Sequence, residues 1–261
     1  MEKRINEYWS MRAEEFSRFR LMDLAGPAHN IWLNFIKENL PKKEGKIRAL
    51  DTGTGAGFYA FLMAEAGCEV TGIDYSDDMI REAKANAEKL HYPPVEFMQM
   101  DAQNMTFADE SFDFIISRNV TWTVPSPEKV YKEWYRLLTP GGVVVNIDAN
   151  YGYVFKVADE TGWTEKQNEQ YEKSEFKTIG MRPDMVRERN DITKELYISK
   201  EYRPQWDLDK MYRLGFSSVY AERNINARLF PEMAKMMENS KNKELFKMPD
   251  DAPDTSILMI R

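Results

Sequence analysis

The stretch Ala49-Leu-Asp-Thr-Gly-Thr-Gly-Ala-Gly-Phe-Tyr-Ala60 decides the fold of this chain. The apolar run Ile47–Leu50 ends in an aspartate, three glycines then alternate, and helix-forming residues follow to Ala66. This order predicts a buried strand, a tight turn and the start of a helix. Glycine is needed where a ligand comes close to the backbone, and a helix start offers N–H groups and a positive dipole end to an anion. The stretch therefore predicts a loop that binds a nucleotide-type cofactor.

The spacing of the glycines discriminates between cofactors. A dinucleotide-binding turn reads G-x-G-x-x-G. This chain reads D-x-G-x-G-x-G from Asp51 to Gly57, so the third glycine falls one place early. Asp51 would repel a pyrophosphate but could receive a cationic amine, and an amino acid joined to a nucleoside carries that amine together with a carboxylate for the loop N–H groups. The spacing disfavours a nicotinamide-dependent dehydrogenase.

Three further segments extend the pattern. Glu69–Asp74 is an apolar strand that ends in an acid one strand-helix-strand unit downstream, where a carboxylate can accept from both ribose hydroxyls. Val95–Asp101 alternates like a strand and again ends in an acid, followed by Ala102. Ser111-Phe-Asp then opens a fourth strand, and Leu-Thr-Pro-Gly-Gly142 precedes a fifth. With the glycine turn, these segments resemble the class I S-adenosylmethionine-dependent methyltransferases in order and spacing.

The resemblance covers residues 45 to 150 and is closest to the small-molecule branch that includes the ubiquinone and menaquinone C-methyltransferases (the methyltransferase type 11 group), because Arg118-Asn119-Val120-Thr121 looks like theirs. It implies that Asp74 binds the ribose, although Asp74 could instead serve only the following helix start, with Ser76 or Asp77 as the cap. It also implies that Asp101 faces the adenine amino group. The cofactor would be S-adenosyl-L-methionine, the product S-adenosyl-L-homocysteine, and the cofactor-binding residues Asp51, Gly53, Thr54, Gly55, Gly57, Asp74, Tyr75, Met79, Asp101, Ala102, Arg118 and Asn119.

Aromatic residues supply the candidates for the substrate side. The segment Tyr8-Trp-Ser-Met-Arg-Ala-Glu-Glu-Phe16 resembles an N-terminal lid of the same family, which makes Tyr8, Trp9 and Arg12 candidates for the cavity wall. Their aromatic rings could equally dock a helix on the core. Trp122 and Tyr151 are further candidates, and packing beneath a loop is the alternative for Trp122.

The alternation of strands and helices predicts an α/β fold: a doubly wound, mostly parallel seven-stranded Rossmann-like sheet with its last strand antiparallel. We expect one methyltransferase domain over residues 1–261. Its parts would be an N-terminal helical lid (1–40), a cofactor-binding core (45–149), an inserted helical substrate cap (150–204) and a C-terminal part of the core (205–261) with an insertion at 224–254. A dimerisation surface is the alternative for the cap.

Composition excludes several functions. A net charge of −7 and the absence of an N-P-P-Y motif after the fourth strand argue against nucleic-acid modification, and the basic cluster Arg182–Arg189 is interleaved with acids like a solvated surface. One cysteine and two distant histidines predict no metal site. No apolar run is long enough to span a membrane, and the N-terminus lacks a signal-peptide core, so we expect a cytoplasmic protein.

Methyl transfer from a sulfonium is an in-line displacement that requires positioning and exclusion of water more than a catalytic group. The catalytic residue is therefore unknown from the sequence, and Tyr8, Asp148, Tyr151 and His29 are the possible bases. The predicted function is methyl transfer to a small-molecule acceptor, by a possible homodimer. A protein that senses S-adenosylmethionine without transferring its methyl group is the alternative.

Overall fold

The computed structural model of the protein describes residues 1–149, 151–152, 183–223, 225–232 and 256–260. Its centre is a sheet with the strand order β3-β2-β1-β4-β5-β7-β6. Strands β1 to β5 pair in parallel, and β7 runs antiparallel to both β5 and β6. The strands are β1 (Arg48–Thr52), β2 (Glu69–Asp74), β3 (Val95–Gln99), β4 (Phe112–Arg118), β5 (Leu138–Asp148), β6 (Val219–Arg223) and β7 (Ser256–Ile260). The predicted α/β class with a mostly parallel sheet is confirmed.

Helices cover both faces of the sheet, because each buried strand presents apolar side chains alternately to either side. Ala49 faces one apolar cluster, with α2, α3 and α4, and its neighbour Leu50 faces the other, with α5 and α7. Among the described residues, the two largest fully buried side chains, Trp134 and Tyr131, belong to the second cluster. The helices are α1 (Glu2–Ala25), α2 (Ala28–Asn39), α3 (Phe58–Glu65), α4 (Asp77–Leu90), α5 (Pro127–Leu137), α6 (Pro183–Glu195), α7 (Gln205–Leu214) and α8 (Ile225–Leu229).

The N-terminal segment forms one helix, α1, of 24 residues. One element boundary differs from the prediction. The Pro-Gly-Gly segment lies inside β5 and not before it, because Leu138 already pairs with Phe112. An irregularity in register between Phe112 and Phe114 accommodates the turn-like residues, and Gly141 adopts a φ of 77°.

Asp113 explains the Ser-Phe-Asp segment at the start of β4. Its side chain is 1% exposed and accepts hydrogen bonds from Lys43 Nζ (2.7 Å), the Arg48 backbone N–H (3.0 Å) and Thr139 Oγ1 (2.9 Å). The aspartate thus fastens the amino-terminal ends of β1, β4 and β5 to one another. This end of the sheet lies opposite the strand ends that form the cavity described below.

Of the predicted substrate cap, Tyr151, Gly152 and the residues from Pro183 onward are described, and the last of these begin with α6; residues 150 and 153–182 lie outside the described residues. Most of the insertion predicted at 224–254 lies outside them as well. Within the described part of the chain, no helix is both long enough and apolar enough to cross a membrane. The same residues contain no group of three or more His, Cys, Asp or Glu side chains that could hold a metal ion.

Candidate active site

A cavity of about 280 Å³ lies above the carboxyl ends of β1, β2, β3 and β4, beneath α1. Parallel sheets bind ligands at this edge, since the loops that leave the strands diverge there. Most residues that the sequence predicts for the site line this cavity. They are Trp9, Arg12, Gly53, Thr54, Gly55, Asp74, Tyr75, Met79, Asp101, Ala102, Arg118, Asn119, Trp122 and Tyr151.

The glycine loop packs over the end of β2, and its own N–H groups form hydrogen bonds there. The N–H groups of Gly53 and Thr54 both donate to the carbonyl of Ile73 at 2.8 Å. The Gly55 N–H donates to Asp74 Oδ2 at 2.9 Å, and the Gly57 N–H donates to the carbonyl of Thr54. The loop therefore lets a ligand approach closely. Its N–H groups were expected to bind a carboxylate, but these four N–H groups are already hydrogen-bonded within the protein.

Asp51 and Gly57 are corrections to the predicted site, since neither lines the cavity. Asp51 is 1% exposed and lies beneath the loop, where its Oδ2 accepts from Thr54 Oγ1 (2.7 Å) and from the Ala60 N–H (3.0 Å). It holds the loop to the first turn of α3. Gly57 has a φ of 94°, and a Cβ there would lie 2.6 Å from the Phe61 ring, so this glycine serves the turn and the packing of α3.

Asp74 lines the cavity and also supports its rim. Its Oδ2 accepts from the Gly55 N–H and its Oδ1 from the Ser76 N–H, both at 2.9 Å. Ser76 is the N-cap of α4, with its side chain accepting from the Met79 N–H, so the helix start is capped while Asp74 still lines the cavity. Burial raises the pKa of Asp74 to about 6, against the opposing effect of the Ser76 and Gly55 N–H bonds. Each oxygen keeps a further lone pair for a ligand.

Asp101 lines the cavity at the end of β3, one strand away from Asp74. Its Oδ1 accepts from the Gln103 N–H at 2.8 Å, and the Gln103 side-chain oxygen accepts from the Ser126 N–H at 2.9 Å. This chain of bonds fastens the loop after β3 to the start of α5. The buried Met79 of α4 lines the same cavity.

Helix α1 covers the cavity and is attached at both sides. The Trp9 Nε1 donates to Thr123 Oγ1 at 3.2 Å, and the hydroxyls of Ser10 and Ser76 share a hydrogen bond of 2.9 Å. Tyr8 is a correction: it is 2% exposed, does not line the cavity and packs in a cluster with Ile5 and residues of α6. Tyr8 therefore docks the helix, while Trp9 and Arg12 form the wall.

Two arginines stand at the amino-terminal end of α3, beside the glycine loop. Arg118 lies 5.1 Å from the Trp32 ring and donates to the Tyr59 hydroxyl at 3.0 Å. Arg20 lies 5.1 Å from the Phe16 ring and 5.7 Å from the Phe58 ring, and its Nε is buried without a hydrogen-bond partner. Burial, together with repulsion from Arg118, lowers the pKa of Arg20. This corner of the cavity is suited to a carboxylate.

Trp122, Tyr151 and Asn119 form the wall beyond Arg118. The Trp122 and Tyr151 rings are 4.7 Å apart, and the Tyr151 hydroxyl donates to Asn119 Oδ1 at 3.1 Å. Burial raises the pKa of Tyr151, with Asp148 acting in the same direction. Trp9 meets Trp122 edge to face at 6.4 Å, which closes the aromatic wall against α1.

Asp148 and His29, two of the possible bases, do not line the cavity. Asp148 is 3% exposed and accepts from the Trp122 N–H at 3.0 Å and from the Thr121 hydroxyl, opposite the buried Arg203. It positions the loop that carries Trp122. His29 lies away from the cavity and bonds Glu65 at 2.7 Å. Of the four possible bases, Tyr151 lines the cavity.

Half of the lining residues were not predicted by the sequence, and the polar or aromatic residues Phe16, Arg20, Gln103 and Arg189 are among them. Phe16 and Arg20 belong to the aromatic and arginine-rich N-terminal segment, so their spacing from Trp9 on one helix could have indicated them. Arg189 lies in the basic cluster that composition assigned to a solvated surface. Its place is set by the packing of α6 against α1, which no local pattern contains.

Residues 50–146 match the family model described as "Methyltransferase domain". The chain contains a methyltransferase domain. That domain spans β1 to β5, the strand ends that carry Asp74 and Asp101, and the glycine loop.

Curated relatives of this chain are named for different methylated substrates. The phosphatidylethanolamine N-methyltransferase of Cereibacter sphaeroides is 37% identical over 102 residues, which cover 39% of this chain and 50% of that protein. A demethylmenaquinone methyltransferase of Lysinibacillus sphaericus is 30% identical over 125 residues, which cover 47% of this chain and 52% of that protein. The chain thus spans about half the length of these curated relatives.

Similarity to solved structures extends beyond residues 50–146. The Haemonchus contortus phosphoethanolamine N-methyltransferase 2, solved in complex with S-adenosyl-L-methionine, superposes with a TM-score of 0.56 at 20% identity. The superposition covers 87% of this chain and 51% of that one. At this identity the likeness shows the α/β methyltransferase fold.

Proposed function

We propose that the chain is an S-adenosylmethionine-dependent methyltransferase acting on a small molecule. The observation that carries this proposal is the placement of Asp74 and Asp101 at neighbouring strand ends, facing one cavity, with the Gly53–Gly55 loop beside them. Two separate carboxylates suit the ribose hydroxyls and the adenine amino group of a nucleoside. The methyltransferase domain over residues 50–146 supports the same function.

In the proposed complex, Asp74 accepts from the ribose hydroxyls, Met79 packs on the adenine, and Asp101 with the Ala102 N–H binds its polar edge. Because the loop N–H groups of Gly53, Thr54 and Gly55 are already bonded, the amino-acid carboxylate goes to Arg118 and Arg20. Arginine binds a carboxylate with two parallel bonds, which fixes the orientation of the amino-acid part. Asp51 acts from below, by holding Thr54.

S-adenosylmethionine supplies a methyl group that is already activated on a sulfonium. The protein's residues therefore hold the acceptor in line with that group and keep water out. Trp9 and Trp122 form the covering wall on the acceptor side, and α1 closes over it. Tyr151 lines the cavity, and because burial raises its pKa its hydroxyl stays protonated at neutral pH, so it can orient the acceptor by a hydrogen bond but not take a proton from it.

Calorimetry with S-adenosylhomocysteine tests the cofactor directly, with NAD as the control ligand. We expect one site that binds S-adenosylhomocysteine with micromolar affinity, and no heat of binding for NAD. Turnover is then measured by release of S-adenosylhomocysteine when the protein is incubated with S-adenosylmethionine and a panel of acceptors. Preferential binding of NAD would refute the proposal, and binding without turnover on any acceptor would favour a sensor.

The division of the chain into a lid (1–40), a core (45–149), a cap (150–204) and a C-terminal part (205–261) is part of this proposal. The position of α1 over the cavity supports the lid, and the contribution of Arg189 from α6 supports the cap. The homodimer and the cytoplasmic location remain predictions.

A further inference from the structure

A buried polar cluster lies behind the aromatic wall of the cavity, and we call it the Arg203 cluster. Its members come from the loop after β4, from α5, from β5, and from α7 with the residue shortly before it. Each is at most 5% exposed, and none of them lines the cavity: Thr121, Tyr131, Asn146, Asp148, Arg203 and Asp207. Apolar side chains of similar volume often stabilise a protein as well as a buried ion pair does. Stability alone therefore does not explain this cluster.

Arg203 joins three elements of the fold. Its Nε and Nη2 donate to the two carboxylate oxygens of Asp207 on α7, each at 2.8 Å. The same Nη2 donates to the Thr121 hydroxyl at 2.7 Å, in the loop after β4. Its Nη1 lies 3.4 Å from Asp148 Oδ2, at the end of β5. A guanidinium presents its N–H groups in a rigid planar fork, so these contacts hold the three elements in one relative orientation.

The Thr121 hydroxyl uses all of its hydrogen-bonding capacity within the cluster. It donates to Asp148 Oδ2, and it accepts from Arg203 Nη2 and from Asn146 Nδ2, the latter at 3.2 Å. A hydroxyl has one donor and two acceptor sites, so this set is complete. The next residue, Trp122, donates its backbone N–H to the same Asp148 oxygen at 3.0 Å. The cluster therefore fixes the backbone from which the Trp122 ring extends.

Tyr151, the second ring of this wall, is attached to the same cluster. The chain leaves β5 at Asp148, and the Ala149 N–H donates to Asp148 Oδ1 at 2.8 Å. The Ala149 carbonyl accepts from Arg203 Nη1 at 3.4 Å, although the two residues are 54 positions apart in the chain. Tyr151 follows two residues after Ala149, and its ring lies 4.7 Å from the Trp122 ring. Arg203 thus fastens both ends of the predicted cap to the loop that carries Trp122.

We propose that Arg203 is a positioning residue that sets the orientation of the Trp122 and Tyr151 rings toward the methyl acceptor. It acts through Thr121 and Asp148 and does not line the cavity itself. The proposal rests on the proposed function and adds a residue to its acceptor side. Methyl transfer depends on alignment, and a misplacement of about 1 Å can cost on the order of 100-fold in rate.

Fluorine NMR on the full chain labelled with 5-fluorotryptophan tests this positioning without an acceptor. Trp122→Phe assigns the Trp122 resonance, and the buried Trp32, on the other face of the sheet, is the internal reference. Thr121→Val removes the hydroxyl at nearly constant volume, and we expect it to shift or split the Trp122 resonance. Arg203→Lys keeps the charge but loses the fork, so it should have the same effect. Thr121→Ser restores the hydroxyl and should keep the wild-type resonance.

Asp113→Asn is the control for a general loss of stability. Its buried carboxylate is hydrogen-bonded to Lys43 and Arg48 at the opposite end of the sheet, so the variant destabilises the protein and leaves the Arg203 cluster intact. Each spectrum is recorded at a temperature at which the variant is folded, and the two Thr121 variants decide the test if Arg203→Lys does not fold. An unchanged Trp122 resonance in Thr121→Val would overturn the proposal. An equal shift in Asp113→Asn would do so too.

Kinetics with an acceptor found by the turnover panel connect the cluster to the reaction. Thr121→Val should lower kcat/KM for that acceptor about 10- to 100-fold. It should keep the affinity for S-adenosylhomocysteine, because the cluster does not line the cavity. Loss of that affinity with an unchanged kcat/KM for the acceptor would assign the cluster to the cofactor side and overturn the proposal. Failure of wild type to bind S-adenosylhomocysteine would instead refute the proposed function, and the fluorine spectra would still decide whether the cluster positions Trp122.

Discussion

At the scale of single residues, Asp74 combines two roles that a sequence pattern treats as alternatives. It bonds the N–H groups of Gly55 and Ser76 and still faces the cavity. The bonds hold the carboxylate in one orientation before a ligand arrives, which lowers the entropy cost of binding. Asp51, one strand away, is buried beneath the loop and acts only on the protein itself.

Asp74→Asn should weaken the binding of S-adenosylhomocysteine about 10- to 100-fold, because hydrogen bonds to a charged acceptor contribute about 1.5–3 kcal/mol. Burial raises the pKa of Asp74 to about 6, so protonation competes with the ribose as the pH falls. Wild-type affinity should therefore decrease from pH 7.5 to pH 5.5, as measured by calorimetry at each pH. Asp51→Asn serves as the control and should keep this decrease. A pH-independent affinity in wild type would contradict the role of Asp74.

Asp51→Asn should change the pH dependence of stability. Burial raises the pKa of Asp51 to about 7, despite the hydrogen bonds from Thr54 and the Ala60 N–H. The pKa of Asp51 is higher in the folded state than in the unfolded state. Its contribution to the free energy of unfolding is therefore complete below about pH 4 and is lost as the pH rises through 7. Between pH 5 and pH 8.5, the free energy of unfolding measured in urea should fall by on the order of 1–4 kcal/mol more for wild type than for Asp51→Asn. Parallel losses in the two proteins would refute this account.

At the scale of elements, the cavity depends on one helix and one loop that meet at Gly55. Gly55 has a φ of 51°, and a Cβ there would lie 2.9 Å from the Phe16 ring of α1. The loop can therefore accept the helix only while this position lacks a side chain. The pattern of alternating glycines predicted a close approach to a ligand, whereas the nearest neighbour in the structure is the lid.

Gly55→Ala should weaken S-adenosylhomocysteine binding and lower stability, since it adds left-handed strain of about 1–2 kcal/mol and displaces Phe16. Gly67→Ala is the matched control: its φ is 92°, but a Cβ there meets nothing within 4 Å. The control should lose stability through strain alone and keep its affinity. Thermal unfolding and calorimetry on both variants measure the two effects. Equal affinity losses would show that the contact with Phe16 is not responsible.

Asp113→Asn should destabilise the amino-terminal edge of the sheet by about 2–3 kcal/mol, because the buried carboxylate joins Lys43, Arg48 and Thr139. Burial alone would raise its pKa, but these hydrogen bonds hold the pKa well below its usual range. Its contribution is therefore present above about pH 4 and lost below it, so wild type should lose more stability in acid than the variant.

Asp109→Asn is the comparison for Asp113. Asp109 also pairs with an arginine, but its side chain is 73% exposed, so its loss should cost less than about 1 kcal/mol. Neither variant should alter S-adenosylhomocysteine affinity, because both lie away from the cavity. Equal effects of the two variants in urea unfolding would contradict the importance of burial at Asp113.

At the scale of the whole molecule, local patterns predicted the sheet and half of the cavity. Asp74, Asp101 and the glycine loop follow buried strands directly, so a parallel arrangement must bring them to one edge. For Tyr8 the structure agrees with the helix-docking alternative, and Asp51 lies beneath the loop instead of lining the cavity. Spacing along the chain does not show which neighbours will cover a residue. Arg189 could not be predicted, since its position depends on α6 packing against α1.

The four arginines that line the cavity among the described residues also come together only in the folded molecule. Arg12 and Arg20 come from α1, Arg118 from the end of β4, and Arg189 from α6. In the sequence Arg12, Arg20 and Arg189 lie close to acids and Arg118 does not, and the net charge of the chain is −7. Long-range packing alone concentrates them.

A crystal structure of the full chain with S-adenosylhomocysteine tests the central claim most directly. The ribose hydroxyls should donate to Asp74, the adenine should lie between Met79 and Asp101, and the carboxylate should meet Arg20 and Arg118. A nucleoside bound outside this cavity, or an Asp74 that contacts only Gly55 and Ser76 in the complex, would contradict the account.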